Sequence, residues 1–328
     1  MLNIWCIAEH RKGKLGRISF ELLQKAKQLA EKTDVNLTSV VIGCNLTNDV
    51  LKKLFSYGAH KVIYLEGKGL NDFSAEKYSE CLAGIIKQRG PDIILAGSTT
   101  MGRTLMPYLA VKLETGLTAD CTLLDYDGTN LIQIRPALSG NLMAVIKTPN
   151  HRPQMATLRP GIVSNLEKST ASDGELEKLD AAINLKNRIN KIEHKEADGK
   201  FNITEAQTVV AVGKGIKSPK NLDLICDLAE TIGAALGASR DVVDRGWLDY
   251  SRQIGLSGHI ITPKLYIGIG VSGAIQHTAG MQDAKQIIAI NKDPKARIFE
   301  FADFGLVGDF LEVVPALIKK LDCKNLVL

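Results

Sequence analysis

Gly268, Gly270 and Gly273 fall at G-x-G-x-x-G spacing inside Lys264–Asn291, KLYIGIGVSGAIQHTAGMQDAKQIIAIN. Glycines let a backbone approach a ligand closely, and the unpaired N–H groups of a first helical turn face whatever lies there, which suits a pyrophosphate. Ser272 stands at a helix N-cap position, with Gly273, Ala274, Ile275, Gln276 and His277 behind it. The triplet alone fits a ligand-free strand-to-helix turn equally well. Two features add to it. Gln276 and His277 put polar groups on the first turns of the helix, and Asn291 ends the following strand, at the edge where open α/β sheets bind ligands. A lone His is commonly structural, so His277 carries weight only as part of this group.

These residues need elements to hold them. Leu265–Ile269 and Gln286–Ile290 have the length and composition of strands. Gln207–Val212 is another, followed by Gly213-Lys-Gly-Ile-Lys-Ser218 and a helix over Asn221–Leu236. Gly237-Ala-Ser-Arg240 then leads by a short loop to Trp247, and Gln253–Gly258 is a compact loop. Ile298–Phe301, a bend at Asp303–Gly305 and a helix over Asp309–Leu321 close the chain. The pattern predicts a doubly wound parallel sheet whose turns at Gly213, Gly255 and Gly270 meet on one edge. Together they offer a Lys, two Ser, an Arg, a His and an Asn to a large, flat ligand carrying a pyrophosphate. Asp293 lies about 20 residues past the triplet, where a dinucleotide site keeps its ribose carboxylate, so spacing leaves NAD open. Polar groups spread over several loops exceed what a mononucleotide half-site needs.

The first half alternates strands (Ile4–Ala8, Leu37–Ile42, Lys61–Leu65, Asp92–Ala96) with helical patterns (Phe20–Lys32, Asp49–Tyr57, Ala75–Arg89, Arg103–Leu113). That alternation predicts a parallel sheet covered on both faces. Gly97-Ser-Thr-Thr100 reads as a plain N-cap or, less simply, a phosphate cradle. Thr115–Asp120 reads as a turn and Asp125–Gly128 as a hairpin turn. Leu131–Arg135, Met143–Thr148 and Gln154–Leu158 read as strands whose neighbouring prolines favour edge positions. Arg135, Arg152 and Arg159 could form a patch for an acidic ligand, or simply face solvent or a partner.

Ser164–Lys200 is charged, low in aromatics and poorly periodic, and Ile183–Glu196 within it fits a crossing strand or a helix. A boundary near Lys195 gives two domains, 1–195 and 196–328, as a chain of 328 residues suggests. With 45% hydrophobic and 23% charged residues the chain can bury a sizeable core. A net charge of +5 without a block of like charges argues against a nucleic-acid arm, and no apolar run approaches a membrane span of about 20 residues. A strand-length run at Leu2–Ala8 argues against a signal or transit peptide. Six scattered cysteines without a C-x-x-C pair argue against zinc or iron–sulfur and for reduced thiols in the cytoplasm.

The run Leu265-Tyr-Ile-Gly-Ile-Gly-Val-Ser-Gly-Ala-Ile-Gln-His277 through Ala289-Ile-Asn291 resembles the signature of electron transfer flavoprotein alpha subunits. The resemblance covers nearly the whole chain, including Gly237-Ala-Ser-Arg240 with Val243-Asp244, the Gln253–Gly258 loop and Asn291-Lys-Asp-Pro294. It implies FAD in a Rossmann-like second domain, a first domain pairing with a beta subunit, and electrons shuttled between flavin dehydrogenases, such as acyl-CoA dehydrogenases, and an acceptor. It implies that Ser239 and Arg240 lie beside the flavin and that Gln253, Ile254, Gly255, Leu256 and Ser257 run along its ring, with the Ser257 hydroxyl facing N5. Ser272–His277 would hold the pyrophosphate and bring His277 to the ring, and Asn291 and Asp309 would meet the adenosine end. Arg240, His277 and Ser257 would tune the flavin by stabilising its one-electron anionic state rather than act on a substrate. Lys214 stands where many members carry Arg, giving a point charge in place of a fork, and Leu256 where many carry Gln. Alternatives are the alpha subunit of an NADH-dependent bifurcating complex and an NAD-binding dehydrogenase subunit. A salt bridge of Arg240 to Asp241, Asp244 or Asp249 is the purely structural alternative for that residue.

Overall fold

The protein's structure is a computed structural model that describes residues 1–30, 33–137, 142–163, 166–168, 174–181, 203–204 and 206–324. The chain divides into two compact units, 1–190 and 191–328. The expected boundary near Lys195 and the ambiguous stretch 183–196 lie outside the described residues.

The first unit runs β1 (Leu2–Ala8), a small hairpin of β2 (His10–Arg11) and β3 (Lys14–Leu15), α1 (Arg17–Ala30), β4 (Val35–Gly43), α2 (Asn48–Lys52), β5 (Lys61–Glu66), α3 (Ala75–Arg89), β6 (Ile93–Gly97) and α4 (Thr100–Leu113). It continues with β7 (Leu117–Cys121), β8 (Leu123–Tyr126), β9 (Leu131–Ala137), β10 (Leu142–Ile146), β11 (Gln154–Leu158) and β12 (Glu175–Asp180). Seven strands form one parallel sheet in the order β12-β5-β4-β1-β6-β11-β7. Side chains alternate across it, as a pleated strand requires. Ile4, Cys6 and Ala8 pack with Leu22 and Leu23 of α1, while Trp5 and Ile7 pack with Leu82 of α3 and Leu105 of α4. A separate antiparallel sheet has the order β10-β9-β8.

The second unit runs β13 (Thr208–Val212), α5 (Leu222–Thr231), β14 (Ala235–Ala238), α6 (Arg240–Asp244), β15 (Leu265–Ile269), α7 (Ile275–Thr278), β16 (Gln286–Asn291), β17 (Phe304–Val307) and α8 (Phe310–Lys324). Its five parallel strands have the order β14-β13-β15-β16-β17. Val210, Val212, Ile267 and Ile269 pack with Ile225 and Leu228 of α5 and Val314 of α8. Val209, Ala211 and Tyr266 line the other face with Ile254, Met281 and Ile298. Both units are thus doubly wound parallel-sheet folds. No helix among the described residues is long and apolar enough to cross a membrane.

Several expectations need correction. The helix expected to reach Leu236 stops at Thr231, because Gly233 turns left-handed at φ +62° and Leu236 joins β14. The bend at Asp303–Gly305 lies partly in β17, and the turn at Thr115–Asp120 lies mostly in β7, where Asp120 sits at φ +62°. The helix expected at Asp49–Tyr57 divides into α2 and a tight turn, Phe55–Tyr57. Far from an edge, β11 is paired on both sides, because Pro153 and Pro160 flank the strand and remove no ladder bond. Pro136 sits in the middle strand of its sheet, yet β8 pairs only as far as Ile134, so the missing N–H meets no β8 neighbour. Within the supposed linker, β12 pairs with β5 and is clamped by ion pairs of Glu177 with Lys61 (2.9 Å) and Arg89 (2.5 Å).

Candidate functional site

Parallel order brings the carboxyl ends of β14, β13, β15, β16 and β17 side by side. Backbone bonds stitch their exits together: Ser239 N to Val212 O (2.9 Å), Gly213 N to Ile269 O (2.8 Å), Gly270 N to Ile290 O (2.9 Å) and Gly308 N to Asn291 O (3.0 Å). The loop at 253–259 joins this edge from above. Ile254 N donates to Ala238 O (2.9 Å) and Leu256 N to Gln276 O (2.8 Å), so the loop ties the β14 exit to α7. Buried Gln253 donates through Nε2 to Ser257 Oγ (3.0 Å), and Tyr250 donates to the Ser257 carbonyl (2.6 Å). Leu256 and Ser257 are exposed.

The central stretch follows its sequence reading at the strand and departs from it at the helix cap. Gly268 lies inside β15, the strand expected at Leu265–Ile269. Ser272 is not the N-cap; Ala274 is, and α7 is a single turn beginning at Ile275. The reason is Gly273, at φ +83°, where a Cβ would sit 2.2 Å from Ile298 N. The chain must turn left-handed there, and the Ser272 carbonyl instead accepts from Ile298 N (3.2 Å). Among the described residues, no backbone N–H from Ser272 to Gln276 donates a hydrogen bond. With the exposed ammonium of Lys214 on the same edge, that run of donors suits a polyanion.

The remaining expected residues divide by what they already hold. Ser239 Oγ is buried and has no hydrogen-bond partner. Arg240 is exposed and donates through Nε to Asp244 (3.2 Å), one of the structural partners open to it; exposed i,i+4 pairs of this kind are weak. Asn291 braces the turn, donating to Val271 O (2.8 Å) and accepting from Asp293 N (3.0 Å). Asp309 caps α8 by accepting from Leu311 N (3.0 Å) and also meets Lys292 (3.4 Å); chiefly the Leu311 N–H holds its carboxyl below the usual range. His277 lies inward, only 6% exposed, with Nε2 2.7 Å from the Tyr266 hydroxyl. Burial pushes its pKa down to about 4, partly offset by the Ile254 backbone, so the imidazole is neutral at pH 7. Its Nδ1 is buried without a hydrogen-bond partner. Tyr266 was not anticipated; its one sequence signal is a phenol in an aliphatic strand, two residues from a glycine on the same face.

The corresponding edge of the first unit is filled from within. Glu9, which follows β1, accepts from Thr99 Oγ1 (2.7 Å), and Thr99 accepts from Gly102 N (3.0 Å) as the cap of α4. Gly97-Ser-Thr-Thr100 is therefore an N-cap. Burial lifts the Glu9 pKa to about 7 against the pull of Thr99. The three arginines form no ligand patch: Arg159 is buried against Asp120 (2.7 Å), Arg152 donates to the Thr129 carbonyl (2.9 Å), and Arg135 donates to the Pro136 carbonyl (3.4 Å).

Residues 4–184 match the family model described as electron transfer flavoprotein domain, and residues 202–282 match the electron transfer flavoprotein FAD-binding domain. The chain is 45% identical to the electron transfer flavoprotein subunit alpha of Thermoanaerobacterium thermosaccharolyticum, covering 97% of each chain. It is 43% identical to the subunit of the same name from Clostridium acetobutylicum, covering 98% of each. It is 40% identical to the lactate dehydrogenase (NAD(+),ferredoxin) subunit LctC of Acetobacterium woodii, over 98% of this chain and 77% of that one.

Proposed function

The chain belongs to the electron transfer flavoprotein alpha-subunit family, and from that premise we propose that FAD lies along the carboxyl edge of the second unit's sheet. The observation that carries this reading is the unpaired N–H run of Ser272–Gln276, at a left-handed glycine whose Cβ would strike Ile298. The orphaned, buried Ser239 Oγ adds a polar atom fit to meet a ligand.

FAD supplies reversible electron storage, and the protein's work is to bind it and set its electrostatics. Ser272, Gly273, Ala274, Ile275 and Gln276 would present N–H groups to the pyrophosphate, and Lys214 would add a point charge. Ser239 and Arg240 would sit at the ring, with Gln253, Ile254, Gly255, Leu256 and Ser257 along it. Gln253 holds the Ser257 hydroxyl by its side chain, which fixes a donor toward the ring edge. Arg240 must leave Asp244 to serve as the cation there; the exposure of that pair makes the exchange inexpensive. Neutral His277 would act as a dipole rather than a second cation. Asn291 and Asp309, committed to the turn and the α8 cap, would shape the adenosine end more than grip it.

The protein is an electron carrier without a substrate of its own, pairing with a beta subunit through its first domain and exchanging electrons with flavin dehydrogenases such as acyl-CoA dehydrogenases. We assign it two domains, 1–195 and 196–328, and a cytoplasmic location, consistent with free thiols at Cys6, Cys44, Cys81, Cys121 and Cys226. A visible spectrum of the purified alpha–beta heterodimer tests the reading: flavin bands are expected, and a colourless, folded heterodimer given ample FAD would end it. Likeness to LctC keeps the bifurcating alternative in view, and a count of two flavins per heterodimer instead of one would favour it. The match to an FAD-binding domain argues against the NAD-dehydrogenase alternative.

A further inference from the structure

We propose that Tyr266 is a positioning residue for His277: its hydroxyl donates to Nε2, which leaves the one proton of the imidazole on Nδ1. Tyr266 is wholly buried, and among the described residues its hydroxyl meets only His277, at 2.7 Å. Two arrangements fit that distance. If Nε2–H donated, the phenolic proton would have no acceptor and Nδ1 would be left as a bare buried lone pair. If the phenol donates, its proton is used and the remaining N–H sits on buried Nδ1. Each arrangement leaves one buried donor unmade, so acid–base strength decides: the phenol is the more acidic donor and the neutral imidazole nitrogen the more basic acceptor, and the second arrangement wins. The Ile254 backbone also raises the proton affinity of His277.

Gly268 makes room for this contact. It lies on the same face of β15 as Tyr266, and a Cβ there would stand 3.0 Å from Tyr266 Cε1 and 3.3 Å from the hydroxyl. The first glycine of the triplet thus serves the phenol rather than a pyrophosphate. Its consequence for the cofactor rests on the flavin reading above: a fixed Nδ1 proton sets the dipole presented at the ring. The hydrogen-bond assignment itself does not depend on that reading.

The test is long-range 15N–1H correlation NMR on the heterodimer with 15N-labelled histidine, with and without FAD. Wild type should show His277 protonated on Nδ1, with Nε2 as bare acceptor and no titration between about pH 5 and 8. Tyr266→Phe should lose at least half of that tautomer to the Nε2–H form, and Gly268→Ala should move it the same way by less. Should Tyr266→Phe fail to assemble, the wild-type tautomer and Gly268→Ala decide. An Nε2–H signal in wild type, or an unchanged tautomer in the variants, overturns the proposal. A colourless heterodimer that keeps the Nδ1–H pattern would sink the flavin reading and support this assignment.

Discussion

Both units gather their loops at the carboxyl edge of a parallel sheet, yet the two edges are built in opposite ways. In the first, Ile18, Glu9 and Thr99 crowd the exits of β1 and β6; a Cβ on Gly97 would meet Ile18 at 2.5 Å and Glu9 at 3.1 Å. Glu9, Ser19 and Thr99 bond one another there, with Ser19 bonded to both the N–H and the carbonyl of Glu9, although the Ser98 hydroxyl is left buried without a partner. In the second, the loops leave main-chain donors unpaired and carry exposed Lys214, Arg240, Ser257 and Gln276. A common winding pattern therefore supplies a place for a ligand without supplying the site; side-chain filling decides whether the place is used.

The contrast can be broken most severely at Gly273. Gly273→Ala should weaken FAD binding by about a thousandfold, roughly 4 kcal/mol, since the residue must keep a left-handed φ and displace Ile298. Flavin titration followed by fluorescence checks this; binding within tenfold of wild type would refute a backbone-built cradle. In the first unit the sensitive group is Glu9. Folded Glu9 keeps its proton to about pH 7, whereas an ordinary glutamate releases it near 4.5. The raised pKa contributes stability that is fully present below 4.5 and lost as pH rises through 7, by up to about 3 kcal/mol. Glu9→Gln should flatten that slope. Urea midpoints at pH 5 and 8, read from buried Trp5 in a Trp247→Phe background, compare the two.

Smaller effects sharpen the comparison. Arg240→Ala should lower the first reduction potential of the flavin by roughly 60 mV, about tenfold, with FAD still bound. A spectroelectrochemical titration with no change would leave Arg240 to its pair with Asp244. Smallest of all, Glu177→Gln should cost about 1 kcal/mol or less, because the carboxylate that Arg89 and then Lys61 hold at about pKa 2 lies near solvent. Urea unfolding of the first unit at two salt concentrations measures it, and a larger loss would mean β12 is more central than an edge strand.

The aliphatic strands were legible because Ile4–Ala8, Leu37–Ile42 and Leu265–Ile269 bury continuous runs. Strands β7, β12, β14 and β17 were missed for distinct reasons. Leu117–Cys121 carries a left-handed Asp, Glu175–Asp180 is an edge strand made of charges, Ala235–Ala238 continues a helical pattern past Gly233, and Phe304–Val307 is exposed throughout. The edge position of Lys214, Arg240 and Ser272–Gln276 followed from the order of turns. The inward rotation of His277 did not, because it depends on a phenol eleven residues earlier coming within 2.7 Å across the strand and helix.

Much of the second edge consists of spots where atoms are missing, as at Gly273 and Gly268. Mutagenesis by truncation, which trims side chains back to a methyl, is nearly blind to such a surface: over Ser272–Gln276 it takes away little that faces a guest. Evolution can damage it only by adding bulk, so drift there should be read through insertions of carbon rather than through losses of polar groups.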